Sequence, residues 1–401
     1  MPIERMSVMD IFEKCESYVI ARMAQASGLY PYFLPLENSE GTEAVINGHR
    51  VLMLGSNNYL GLTTDPRVRE AAIEATRKYG TSCTGSRLQN GTLELHLELE
   101  RRLANFVGKE AALVFSTGFQ VNLGTISCLV GRGDVVVTDK EDHASIIDGA
   151  MLAMGELRRF AHNDMGHLER VLAGLDDNSG ALVVVDGLYS TGGDLAPLPE
   201  MIEVCRRHQA RLMVDDAHGL GVMAHGHGTA AHFAVTEGVD LIMGTFSKSF
   251  ASLGGFIAGD ENIIHYIQHN ARAFIFSAAM PASNVAAALA ALDIMENEPE
   301  RVDRLWEVTE RMRTGLKEMG FNTGSSVSPI IPVIIGEMEP ALGAWKGLYD
   351  AGVYTNAFVP PGVPEGRCLL RTSYMATHTD EQIDRALNIF GEVGRELNLI
   401  D

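Results

Sequence analysis

RLMVDDAH (211–218) and, further along, LIMGTFSKS (241–249) share one build: a short apolar run that ends in polar, chemically capable side chains. Apolar runs of this length, bounded by turn residues, predict strands buried on both faces. The same build recurs outward from this pair, at Ala111–Phe115, Val135–Thr138 and Ala181–Val185. Between the runs lie amphipathic stretches such as Leu93–Val107 and Leu198–His208. This alternation predicts an α/β fold whose central, mostly parallel sheet is flanked by helices. Ligands of such sheets sit at the carboxyl ends of the strands, and the polar residues of this chain collect there.

The flanks read differently. Asp10 to Ala26 has helical spacing and is broken by Gly28-Leu29-Tyr30-Pro31, while Glu43–Leu54 holds two strand-like runs around the turn Asn47-Gly48. After Ala278 come a helical run, Ala286–Met295, two strand candidates, Ile330–Ile335 and Leu369–Arg371, and a closing helix, Asp380–Leu397. This part predicts a smaller α+β domain. The expected division is an N-terminal helix and arm (1–50), a large domain (51–285) and a C-terminal small domain (286–401).

Composition narrows the class. With 46% hydrophobic and 21% charged residues, the 401-residue chain is globular and long enough for a large core. A formal net charge of -20, with no compensating basic stripe, argues against nucleic acid. Five scattered cysteines, never in C-x-x-C spacing, suggest reduced thiols and neither a disulfide framework nor a zinc site. His225 and His227 lie in a glycine-rich loop without neighbouring carboxylate or thiolate ligands, so no metal is expected. The N-terminal stretch lacks an apolar signal core, and no uncharged run reaches membrane-spanning length. A cytoplasmic protein is expected.

Four segments carry the chemistry, each following a predicted strand: Ser116–Phe119, Asp142–Ser145, Val214–His218 and Gly244–Ser249. Taken alone, Lys248 reads as a surface lysine. Placed at a strand end it is desolvated, which lowers its pKa and makes its amine a nucleophile able to form a Schiff base with an aldehyde cofactor. Asp215 supplies what pyridoxal phosphate needs in addition, an acid that keeps the ring nitrogen protonated. His143 is placed to lay its ring over a flat cofactor. Gly118 and Phe119 open a helix whose backbone N–H groups suit a phosphate, and Ser190, Thr245 and Ser247 offer further hydrogen bonds. Arg371, at the end of a strand in the small domain, suits a substrate carboxylate.

With these residues in place, the sequence resembles the α-oxoamine synthases, pyridoxal-phosphate enzymes of the aspartate-aminotransferase fold (fold type I). The resemblance is carried by SNNYLGL (56–62), GSRLQNGT (85–92), FSTGFQVNLG (115–124), DHASIIDG (142–149), DDAHGLGV (215–222) and GTFSKSFASLGGFIAG (244–259). It implies that Lys248 is the Schiff-base lysine and the acid/base, Asp215 pairs the pyridine nitrogen, His143 stacks on the ring, and His218 and Ser190 touch its 3-oxygen. Gly118, Phe119, Thr245 and Ser247 are implied as phosphate ligands, with Ser277 reaching the phosphate from a neighbouring subunit of a homodimer. Asn57 and Arg371 are implied to hold the substrate amino acid, and Gly85 to leave it space.

The stretches GLYPYFLPLEN (28–38), NARAFIFSAAMPAS (270–283) and MATHTDEQID (375–384) resemble the bacterial members that condense L-serine with a long-chain acyl-CoA, releasing coenzyme A and carbon dioxide and yielding 3-oxosphinganine. Sister enzymes use glycine or alanine with other acyl thioesters. Some of the serine-using members carry an arginine before a P-P-x-x-P loop; here Val359 precedes Pro360. A non-catalytic partner subunit of this family lacks the lysine, which this chain has. A long acyl substrate leaves room for peripheral membrane contact without a transmembrane segment.

Overall fold

Seven strands form the central sheet of the computed structural model, which describes residues 10–401; the N-terminal stretch without an apolar signal core lies partly outside them. Their spatial order is Ala111–Phe115, Gly255–Gly259, Leu241–Thr245, Arg211–Asp215, Ala181–Asp186, Val135–Asp139 and Glu156–Phe160. All run the same way except Gly255–Gly259, which is antiparallel to both neighbours.

Alternate side chains enter two separate cores. Val135, Val137, Val183, Val185 and Val214 pack on one face, and Val136, Val184, Met213 and Met243 on the other. Both faces are apolar because helices cover both, which is why the strands read as continuous hydrophobic runs. The five strands expected from sequence are present. Two more escaped notice for opposite reasons. ELRRF (156–160) is an edge strand whose exposed positions carry charge, and GFIAG (255–259) is too small and glycine-rich to read as a strand.

At the other end of the chain a three-stranded antiparallel sheet, Ile330–Gly336, Cys368–Ser373 and Asn356–Phe358, packs with the helices Glu300–Glu318, Met338–Asp350 and Asp380–Glu396. The last helix opens on a capping box between Thr379 and Gln382. The N-terminal hairpin Glu43–Ile46/His49–Met53 turns at Asn47-Gly48, both at positive φ. Its second strand pairs in parallel with Val353–Tyr354, so the beginning of the chain is knitted to the C-terminal part. The expected boundary at 50–51 falls inside that second strand, and the one at 285–286 falls inside the helix Ala282–Asn297.

Asp10–Ala26 forms two short helices, Glu13–Glu16 and Ile20–Ala26, where one was expected. Neither buries a residue, so no packing holds a longer helix together. Among the described residues, no helix is long and apolar enough to cross a membrane.

The antiparallel strand meets the helix Gly118–Leu129 backbone to backbone. A Cβ at Gly255 would stand 2.7 Å from the Gly244 carbonyl oxygen and 2.8 Å from Gly118 Cα. Gly255→Ala is therefore expected to destabilise the fold by about 2 kcal/mol, measured as a lowered urea midpoint. An unchanged midpoint would show that the helix start can move.

Candidate active site

The carboxyl ends of the parallel strands surround a cavity of about 340 Å³. Its lining includes Thr117, Gly118, Phe119, His143, Ser190, Asp215, His218, Thr245, Ser247 and Lys248, so ten of the candidate and neighbouring positions meet in one place.

Asp215 ends its strand 3% exposed, with Oδ2 accepting from Asn122 Nδ2 at 2.7 Å and Oδ1 from the Ala217 amide at 3.0 Å. Lys248 is enclosed by protein except toward the cavity. No hydrogen bond or ion pair holds its amine among the described residues, and desolvation lowers its pKa to about 8 against the pull of Asp215 and Asp186.

His218 Nδ1 bonds the Tyr59 hydroxyl at 2.7 Å. Burial, then the nearby positive charge of Lys248 and Arg371, pushes His218 well below the ordinary histidine value, so its ring is neutral. His143 caps the helix Ala144–Leu152, and its own amide donates to Asp186 Oδ2 at 3.0 Å. Asp142 in turn accepts from the amides of Asp186 and Asp139, and burial raises both Asp142 and Asp186.

Arg371 lies behind the cavity, 3% exposed. Its Nε donates to the Ser190 carbonyl at 2.5 Å and its Nη2 to Asn57 Oδ1 at 2.9 Å. No carboxylate pairs with it among the described residues, and no hydrogen bond uses Nη1. A buried guanidinium in that condition is suited to an incoming carboxylate. Asn57 is brought to it because Ser373 and Asn356 bond the backbone of Gly55 and Ser56.

Two candidates stand apart within the single chain. Ser277 accepts from Gln120 Nε2 at 2.9 Å outside the cavity lining. The space left by the missing Gly85 side chain is taken by Asn90, 1.9 Å from where a Cβ would stand, so Gly85 opens no room in this chain's own cavity. His227 bonds the Phe106 carbonyl, and His225 faces Asp303; neither lines the cavity.

Sequence reasoning passed over Asn122, Ser145, Tyr59 and Asp186. Asp186 had a visible signal, since ALVVVD ends as LMVD does. Asn122 is a lone amide on the buried side of an apolar helix, and Tyr59 and Ser145 lie inside quoted motifs without their partners being visible.

The donor set fits pyridoxal phosphate. A Cβ on Gly118 would strike Thr245 Oγ1 at 2.6 Å, so helix start and hydroxyl form a tight cradle with free backbone N–H groups, suited to a phosphate. An unpaired amine and a buried carboxylate share the same cavity with it.

The profile of the Aminotransferase class I and II family matches residues 49–390. The chain belongs to that family, the pyridoxal-phosphate-dependent enzymes of fold type I. More particularly, it is 51% identical over 383 residues to the serine palmitoyltransferase of Sphingobacterium spiritivorum, covering 95% of this chain and 96% of that one. It is 49% identical to that of Bacteroides thetaiotaomicron, covering 97% and 99%. The serine palmitoyltransferase of S. paucimobilis, solved with PLP and myriocin bound, superposes with a TM-score of 0.95 at 37% identity, covering 98% and 100%.

Because its pKa is lowered, Lys248 should lose its proton near pH 8, where an ordinary lysine is only about 0.3% neutral. Competitive labelling of the cofactor-free enzyme across pH should find that midpoint. Asp215→Asn removes a charge that holds the ammonium form, so the midpoint should fall further; a rise would contradict the assigned geometry.

Proposed function

We propose that the chain condenses L-serine with a long-chain acyl-CoA, with loss of carbon dioxide, to give 3-oxosphinganine and free coenzyme A. The observation that carries this reading is the buried, carboxylate-free guanidinium of Arg371 beside the cavity that holds Lys248 and Asp215. The names of the similar proteins support the choice of serine and a palmitoyl donor.

Pyridoxal phosphate, when bound, supplies an electron sink for a carbanion at the amino-acid Cα. Every other task falls to this chain. Lys248 anchors the cofactor and then moves the Cα proton, a task suited to an amine titrating near neutrality. Asp215 keeps a positive N–H paired at the back of the cavity. Gly118, Phe119, Thr245 and Ser247 hold the phosphate, and Arg371 with Asn57 grips the serine carboxylate. His143 and the neutral His218 offer ring nitrogens to oxygens in the cavity.

A second copy of the chain completes the site in this reading. Phe276 is 72% exposed, Leu253 50% and Phe119 42%, a group of apolar side chains beside Ser277 and the cavity mouth. A homodimer covers them and lets Ser277 and the Gly85 loop reach the partner's cavity. Acyl-CoA as substrate is consistent with a cytoplasmic enzyme that meets membranes only at their surface.

Serine with palmitoyl-CoA should release thiol faster than glycine with acetyl-CoA; the opposite order would favour a sister condensation. Arg371→Ala should raise KM for serine by about tenfold to a hundredfold, the worth of a charge-assisted hydrogen-bonded pair. Sedimentation should give a dimer, and Phe276→Glu should shift it toward monomer and loosen cofactor retention.

A further inference from the structure

We propose that Asn122 and Ser145 are positioning residues that hold His143 as its Nε2–H tautomer and wire its ring to Asp215. The proposal rests on the reading of Asp215 as the ionised partner of the cofactor. One unbroken chain of hydrogen bonds joins the two groups. Asn122 Nδ2 reaches Asp215 Oδ2 at 2.7 Å and Ser145 Oγ at 2.8 Å, and Ser145 Oγ reaches His143 Nδ1 at 2.8 Å. Asn122 and Ser145 are 0% and 2% exposed, so the two linking residues are buried although His143 at the end of the line is exposed.

Its direction is forced from one end. An ionised carboxylate only accepts, so the Asn122 amide must turn its NH2 toward Asp215. That group has two protons, and the second goes to Ser145 Oγ. The serine oxygen accepts there, which leaves its own proton for His143 Nδ1. A second donor acts at the same nitrogen: the Ser145 amide points at His143 Nδ1 at 3.2 Å. Nδ1 is therefore the acceptor, its single lone pair shared between the two donors, and the proton of the neutral ring sits on Nε2. The opposite edge of the ring has no hydrogen bond among the described residues, so Nε2–H is free to donate to an oxygen of a molecule in the cavity. The unpartnered Asn122 Oδ1 is the cost of this orientation, accepted because the carboxylate dictates it.

The surroundings of the ring agree. Desolvation comes first among the causes that lower its pKa, Lys248 acts in the same direction, and Asp215 and Asp148 oppose them. Asp186 faces its backbone amide, and Phe119 meets the ring edge-on at 6.3 Å.

The chain of donors can be read by nuclear magnetic resonance. In holoenzyme labelled with 15N-histidine, the ring shifts of His143, assigned by difference from His143→Gln, should report a neutral ring protonated at Nε2. A proton on Nδ1 overturns the proposal without any variant. Ser145→Ala removes one donor to Nδ1, and Asn122→Ala frees the Ser145 oxygen to accept from an imidazolium. Each should raise the protonation midpoint of His143 by about one pH unit, and Ser145→Thr should restore it. Unchanged midpoints in both alanine variants overturn the proposal. Cofactor loading is followed separately by visible absorbance, whose failure would count against the cofactor reading and leave the ring measurement standing.

Discussion

Lys248 and Asp215 share one cavity without forming an ion pair, and the residues around them maintain that arrangement. A lysine in contact with a carboxylate would keep its proton, whereas one alone in an apolar core would force its way to solvent or lose its charge altogether. Here the negative charge is near enough to be felt and is occupied with Asn122 and a backbone amide. The amine is thus left neutral enough to react and charged enough to be drawn back. Asp215 ends a doubly covered strand, and Lys248 lies in the turn three residues beyond the end of the neighbouring strand Leu241–Thr245, so the sheet fixes where both groups start.

Much of this was legible from the residues. The apolar strands announce themselves because both faces of the sheet are buried, and each polar cluster follows such a strand, so Lys248, Asp215, His143 and Gly118 can be gathered from the sequence alone. Two kinds of feature resisted. Strands that depart from the apolar pattern, ELRRF at an open edge and GFIAG squeezed against a helix, carry little hydrophobic signal. Supporting side chains such as Asn122 and Tyr59 gain their meaning only from partners remote in sequence, Asp215 and His218, and pairings of that kind leave no local spacing to read. Ser277 and Gly85 mark a third limit, since one chain alone brings neither to its own cavity.

A hydrogen-bonded line joins Asp215 to His143 through Asn122 and Ser145. Two residues that would otherwise be judged separately are thereby linked side chain to side chain. Desolvation lowers both His218 and His143, so the positive charge of this region falls to the amine and, behind the cavity, to Arg371.

The parallel pairing of His49–Met53 with Val353–Tyr354 has a consequence for how the enzyme is born. On a ribosome the seven-stranded sheet emerges whole by about residue 259, and with it the cavity that holds Lys248. Asn57 and Tyr59 are translated early but wait, without Arg371, until the last strands leave the exit tunnel. The strands that lead to Lys248 and Asp215 are thus translated well before Arg371 can reach Asn57 and Tyr59. Synthesis itself imposes an order in which the strand ends around the cavity come first and the contact of Arg371 with the N-terminal part of the chain comes last.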